Sequence, residues 1–201
     1  MTNNTRRTKV ARMTLLAMLV AILVVLAYVN IPMPMGLSIT FNMIPVAIAA
    51  IAMGLPGGMI VGGAFGLISF LQCFGVFGSS PLGAALVNIS PVLMFIQRFV
   101  SRLLVGILAG LVFRGMQKTR APFYLKGAVT GFAAAFSNTL FFMTLLVLFF
   151  GGSEKLAGPI AEKGVILYII TSVGINAVVE MAVAALVTGA AGTALRKARL
   201  I

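Results

Sequence analysis

Residues 91–114 read PVLMFIQRFVSRLLVGILAGLVFR, an apolar run long enough to cross a bilayer that nevertheless contains Arg98 and Arg102. At 1.5 Å of rise per residue, Arg98 lies about 10 Å from the start of the helix and Arg102 about 16 Å, near the midplane. A charge facing lipid costs about 2.5–3.5 kcal/mol on insertion scales, so both arginines should face protein. Gly106 and Gly110 continue this face at four-residue spacing, which favours close packing on another helix. The run therefore predicts a helical membrane bundle with a polar interior.

The composition of the whole chain supports this prediction. Of the 201 residues, 61% are hydrophobic and only 9% are charged, and the mean hydropathy is +1.14. A soluble domain of this length needs more polar surface. We predict an all-α integral membrane protein, a compact bundle of six transmembrane helices in a single domain of residues 1–201. The predicted helices span residues 10–29, 39–54, 58–74, 91–114, 123–150 and 164–195.

The distribution of basic residues predicts the orientation in the membrane. Most of the net charge of +12 comes from residues 6–12, 114–126 and 196–199, which flank the apolar runs. This is the positive-inside pattern, so both termini should be cytoplasmic. The only basic residues in the predicted outer loops are Lys155 and Lys163, and each lies beside a glutamate. The basic residues form no groove-like patch for nucleic acid, so the lipid bilayer with its anionic headgroups is the predicted polyanionic partner.

Few residues in this chain could carry out catalysis. There is no histidine and a single cysteine, Cys73, so His-based catalysis, the usual His/Cys metal sites and disulfides are excluded. No GxxxxGK[ST] motif is present for nucleotide hydrolysis. Glu180 is the one acid inside an apolar run, too few for acid–base or metal-dependent chemistry on lipids. We predict that the chain is not an enzyme and has no catalytic residue, metal site or cofactor.

Placing the helices in depth sorts the polar residues into two groups. The outer group contains Asn42, Gln72, Asn88, Gln97 and Arg98, and the deeper group contains Arg102, Asn138, Asn176 and Glu180. In the deeper group, one acid and one base lie at similar depth on helices four and six. We predict a buried Arg102–Glu180 ion pair, with Asn176 one turn from Glu180 satisfying remaining hydrogen bonds.

The outer group, surrounded by phenylalanines, predicts a small-molecule site open to the outside. Arg98 has no acid at its depth, so we expect its guanidinium to bind an anion; the alternatives are a snorkelling anchor or a tie between helices. The candidate binding residues are Arg98, Asn42, Gln72, Asn88, Asn138, Phe41, Phe74 and Phe95. The outer loop NIPMPMGLSIT, residues 30–40, is expected to fold over the mouth of this site, with an ordinary connector as the alternative.

Four segments resemble the substrate-binding S components of energy-coupling factor (ECF) transporters. They are SITFNMIPVAIAAIAMGLPGG (38–58), GGAFGLISFLQCFG (62–75), RFVSRLLVGILAGLVF (98–113) and FSNTLFFM (136–143). The resemblance covers nearly the whole chain. In the first helix AMLVA, residues 17–21, is similar to the family's AxxxA motif, which contacts the membrane coupling subunit. The resemblance therefore implies that Ala17 and Ala21 form a docking surface.

This resemblance implies a vitamin-uptake subunit in a bacterial plasma membrane, which joins a membrane coupling subunit and two ATPase subunits. In this family the loop after the first helix acts as a lid, which corresponds to residues 30–40 here. The chain is most similar to pantothenate-type members, followed by folate and hydroxymethylpyrimidine members, whereas riboflavin has no carboxylate for Arg98. Two alternatives from other classes stay open: a self-sufficient secondary carrier that uses Glu180 for proton coupling, and a structural scaffold protein.

Overall fold

The computed structural model describes residues 2–29, 31–32, 38–78, 80–198 and 201, and it is almost entirely helical. The elements in chain order are α1 (Thr2–Tyr28), β1 (Ile31–Pro32), β2 (Ser38–Ile39), α2 (Met43–Leu71), α3 (Pro81–Val87), α4 (Pro91–Gln117), α5 (Phe123–Phe150), α6 (Glu154–Lys163) and α7 (Val165–Lys197). A 3₁₀ turn, Gln72–Phe74, continues α2. The all-α prediction is confirmed, apart from the two-residue antiparallel pairing of β1 with β2. Residues 30 and 33–37 of the predicted lid lie outside the described residues.

Several helices have the length and composition of membrane spans. Five segments qualify: Val10–Tyr28, Met43–Phe74, Pro91–Gln117, Phe123–Phe150 and Asn176–Lys197. A sixth arises if Leu156–Lys163 and Val165–Gly174, bent by 110°, form one broken span. Large apolar side chains such as Leu148, Ile166 and Leu186 remain 62–75% exposed, as a lipid-facing surface requires. These features agree with a multi-pass membrane protein, while the number of crossings and the cytoplasmic termini remain predictions.

The chain folds back on itself within α2. A straight helix of 29 residues would hold its ends about 40 Å apart, yet Asn42 and Gln72, just beyond the two ends, line one cavity. The reversal occurs at Gly54, whose φ of 68° and ψ of −153° are accessible mainly to glycine. The two limbs, residues 43–53 and 55–71, correspond to the second and third predicted helices.

Glycines bring the second limb of α2 into backbone contact with α4. A Cβ atom added to Gly106 would collide with the carbonyl oxygen of Gly58, and one added to Gly62 would lie 2.8 Å from the carbonyl oxygen of Arg102. A Cβ on Gly110 would lie 2.7 Å from the Cα of Leu55. The close packing predicted from the four-residue glycine spacing is therefore confirmed. It fixes the height of Arg98 and Arg102 against the second limb.

The remaining helices pack around this pair. Helix α4 also contacts α5, α5 lies along α7, and α1 packs on α2 through Leu19, Leu23 and Ala27. Residues 154–163, expected as an outer connection, instead form α6. Its buried Leu156 belongs to an apolar cluster with residues of α4, α5 and α7. Because its charges nearly cancel and its apolar residues are few, α6 gave no signal as a span in the sequence.

Candidate functional site

A cavity lies between the residues just before α2, the second limb of α2, the N-terminal end of α3, and helices α4, α5 and α7. Its polar and charged lining consists of Thr40, Asn42, Ser69, Gln72, Ser80, Arg98, Arg102, Asn138, Thr139, Asn176 and Glu180. Its apolar lining consists of Phe65, Leu82, Phe142, Met143, Val173 and Ala177. Members of both depth groups expected from the sequence therefore meet in one site, because the second limb of α2 and helix α4 extend along it.

Arg98 is enclosed at one side of the cavity. Its Nη1 donates a hydrogen bond to Ser69 Oγ at 3.2 Å, and its Nη2 donates to Ser80 Oγ at 2.9 Å. The guanidinium carbon lies 5.1 Å from the centre of the Phe142 ring. Helix α3 approaches so closely that a Cβ on Gly83 would be 2.7 Å from Nη2. The buried Nε atom has no hydrogen-bond partner in the described part of the chain, so the guanidinium retains an unused donor.

Arg102 lies one turn further along α4 and is held mainly by aromatic rings. Its guanidinium carbon is 4.5 Å from the centre of the Phe142 ring and 5.2 Å from that of Phe65. Its Nη1 donates to Ser101 Oγ at 2.8 Å, and its buried Nε has no partner among the residues that the structure describes. Ring faces attract a cation but do not neutralise it, so Arg102 keeps its capacity to bind an anion.

Glu180 does not form the direct ion pair with Arg102 that the sequence predicted. Its Oε1 accepts a hydrogen bond from the backbone N–H of Thr40 at 2.8 Å, while the hydrogen bond of Arg102 goes to Ser101. Both side chains line the cavity, so the charges share a site without contact between them in the described part of the chain. The prediction was wrong on this point because a backbone donor such as Thr40 N–H has no side-chain signature in the sequence.

Three asparagines of the lining have polar atoms without partners. Within the described residues, both side-chain polar atoms of Asn42 are buried and unpartnered, as are Asn138 Oδ1 and Asn176 Oδ1. Leaving a buried polar group unsatisfied costs about 1–3 kcal/mol, so such groups call for a ligand or ordered water. Gln72 differs, because its Nε2 donates to Ala27 O at 3.0 Å and to Phe77 O at 3.2 Å. It lines the cavity but mainly holds the end of α1 to the turn that follows α2.

Four predicted binding residues do not line the cavity. Asn88 is exposed and donates to Ala84 O at 3.1 Å within its own turn. Phe74 and Phe95 are 57% and 38% exposed and both pack edge-to-face on Phe70. Phe41 packs against the apolar core instead. These residues were assigned to the site by their expected depth, and depth alone does not determine which side chains face a cavity.

The sequence reasoning also missed several lining residues. Their spacing was visible, since Phe65, Ser69 and Gln72 follow the i, i+4, i+7 pattern of one helix face, and Phe142 follows Asn138 by one turn. A search of the positions one or two helical turns before and after each predicted polar residue would have found these side chains.

The predicted docking residues lie on the surface of α1. Ala17 and Ala21 are exposed, while Leu19, Leu23 and Ala27 of the same helix pack into the core. A strip of small side chains is therefore available on the side of α1 that faces away from the bundle.

Comparison with known proteins identifies the family. The family described as "ECF transporter, substrate-specific component" matches residues 11–190. The chain is also similar to the pantothenic acid transporter PanT of Lactococcus lactis subsp. cremoris, with 29% identity over 208 residues that cover 96% of this chain and 98% of PanT. The family match spans the helices that build the cavity, and the chain belongs to the substrate-specific components of ECF transporters.

Proposed function

We propose that this protein is the substrate-capturing S component of an ATP-driven ECF importer in a bacterial plasma membrane, and that its substrate is pantothenate. The observation that carries the proposal is the cavity in which the buried Arg98 and Arg102 lie beside asparagine side chains with polar atoms that have no partner among the described residues. A small, partly apolar anion with further hydrogen-bonding groups matches this combination.

Pantothenate has the chemical groups that the cavity can bind. Its carboxylate suits the guanidinium groups, and its amide and hydroxyls suit Asn42, Asn138 and Asn176. Its methyl groups can pack on the Phe142 ring. The similarity to PanT, a pantothenic acid transporter, supports the same substrate. Riboflavin has no carboxylate and would leave both guanidinium groups without an anion.

In the proposed complex Arg98 binds the carboxylate. The hydroxyls of Ser69 and Ser80 now hold the two terminal nitrogens of Arg98, and either hydroxyl can rotate away. A carboxylate is the stronger acceptor, since charge-assisted hydrogen bonds are about twice as strong as neutral ones. Arg102, one turn away, adds a second positive charge to the same space.

Transport requires partners that the chain itself does not supply. We propose that the membrane coupling subunit docks on the exposed face of α1 at Ala17 and Ala21, where small side chains let a partner helix approach closely. Two ATPase subunits then provide the energy. The docked complex would release the substrate on the cytoplasmic side.

The proposal is tested by purifying the chain and identifying the retained small molecule by mass spectrometry. Retained pantothenate supports it, whereas folate, a hydroxymethylpyrimidine or riboflavin would correct the substrate. Uptake into vesicles by the chain alone, with no coupling proteins or ATP, would show a secondary carrier instead. Uptake that appears only with the coupling subunit, the ATPases and ATP is the expected result.

A further inference from the structure

Glu180 is an acidic group of the cavity that forms no ion pair with any residue the structure describes. Its side chain is only 5% exposed, and its Oε1 accepts the hydrogen bond of Thr40 N–H at 2.8 Å. Arg98 and Arg102 line the same cavity, but their hydrogen bonds go to serine hydroxyls. A backbone donor therefore fixes the carboxylate in place without cancelling its charge.

The charged groups of the lining leave one positive charge in excess. Two guanidinium groups and one carboxylate, when ionised, sum to a single positive charge, and the other lining groups are amides, hydroxyls and apolar side chains. In a water-poor site an unmatched charge is unfavourable, whether it belongs to the protein or to the ligand. A ligand with one negative charge matches the cavity, and a ligand with more does not.

We propose that Glu180 restricts this cavity to ligands with a single negative charge, so that free monocarboxylates bind and their phosphate esters are rejected. The inference rests on the proposed function, because it specifies the substrate class of the same site. A phosphate monoester adds about 1.5–2 negative charges at neutral pH. At an effective permittivity of about 20 and a separation of about 7 Å, Glu180 alone weakens binding roughly 50-fold for each added charge.

The test compares pantothenate with the phosphate ester of its primary hydroxyl by calorimetry at about pH 8, where the phosphate is fully ionised. Wild type is measured beside Glu180→Gln, in which the amide oxygen can still accept the Thr40 hydrogen bond. We expect wild type to prefer pantothenate to its phosphate ester, because the ester's added charge has no remaining counter-charge in the cavity. Glu180→Gln should reduce this preference at least about 10-fold. Glu162→Gln is the matched control, because it removes an exposed negative charge on α6 and should leave the preference unchanged.

A second variant keeps the test decisive if Glu180→Gln does not fold. Asn176→Asp places another carboxylate in the cavity, one turn from Glu180, and should weaken pantothenate binding at least about 10-fold. In a folded Asn176→Asp protein, unchanged pantothenate affinity would overturn the inference.

A pair of simple acids separates this inference from the vitamin assignment. Propionate and succinate carry one and two carboxylates, and thermal stabilisation of the purified protein reports their binding. If pantothenate does not bind but propionate is preferred over succinate in a Glu180-dependent manner, the substrate assignment fails and the charge rule holds. The inference is wrong if folded Glu180→Gln keeps the wild-type preference for pantothenate over its ester, and for propionate over succinate, within about twofold. It is also wrong if none of these four compounds binds.

Discussion

Replacing Arg98 separates a ligand-binding role from a structural one. Arg98 is 6% exposed, its terminal nitrogens contact two serine hydroxyls, and its guanidinium lies against the Phe142 ring. In such a water-poor setting a hydrogen-bonded charge contributes about 1.5–3 kcal/mol to binding a carboxylate. Arg98→Ala should therefore weaken pantothenate binding roughly 10- to 150-fold. Arg98→Lys should recover only part of the lost pantothenate affinity, because an ammonium group does not reproduce the planar fork of the guanidinium.

The assay is calorimetry on the purified protein with pantothenate and with its carboxamide analogue. The analogue lacks the negative charge, so its affinity should fall much less in Arg98→Ala. Arg114→Ala is the matched control, because Arg114 is an exposed arginine at the other end of the same helix. It should bind both compounds as wild type does.

The alternative role for Arg98 is a structural tie between helices, and Ser80→Ala helps to distinguish the two roles. Ser80→Ala removes the partner of Nη2 but leaves the charge, so pantothenate affinity should stay within about threefold of wild type if Arg98 binds the ligand. If Arg98→Ala binds pantothenate as tightly as wild type and melts at a lower temperature, the arginine only ties α4 to α2 and α3. That result would refute the reasoning.

Three further predictions test the docking face, the packing and the amides. Ala17→Trp or Ala21→Trp should abolish ATP-dependent vesicle uptake while calorimetry shows unchanged ligand affinity, and wild-type uptake in both would remove the docking surface. Gly106→Ala should destabilise the protein by about 1–3 kcal/mol, because the new Cβ meets the Gly58 carbonyl. The control Gly115→Ala, whose Cβ has open space around it, should melt near wild type. If Gly106→Ala melts at the same temperature as Gly115→Ala, the packing is contradicted. Asn138→Ala should weaken pantothenate binding about 2- to 10-fold without lowering the melting temperature of the ligand-free protein, and a lower melting temperature would mean that Asn138 supports the fold instead.

The helices were predictable because apolar runs and basic flanks have strong sequence signals. The glycine spacing at Gly106 and Gly110 also indicated a close helix contact, which the structure places against the second limb of α2. The faces of the helices were not predictable in the same way. Lipid is as apolar as the protein core, so the apolar positions of a membrane helix do not mark which side is buried. Phe74 and Phe95 were assigned to the site for this reason and lie outside it.

The members of the site were predictable where the residue itself is unusual in a membrane. Arg98, Arg102 and Glu180 stand out because a charge must avoid lipid, and all three line the cavity. Their partners were not predictable, because serine hydroxyls and a backbone N–H are common groups without a distinctive pattern. The cavity also depends on the fold-back at Gly54, which brings the two ends of α2 together.

The most direct test of the central claim is an experimental structure of the purified protein with bound pantothenate. The account predicts ligand density in the cavity between α2, α4, α5 and α7, with the carboxylate within hydrogen-bonding distance of Arg98 and the remaining polar groups against the asparagine amides. Density for pantothenate elsewhere, or in this cavity with its carboxylate turned away from both guanidinium groups, would contradict it.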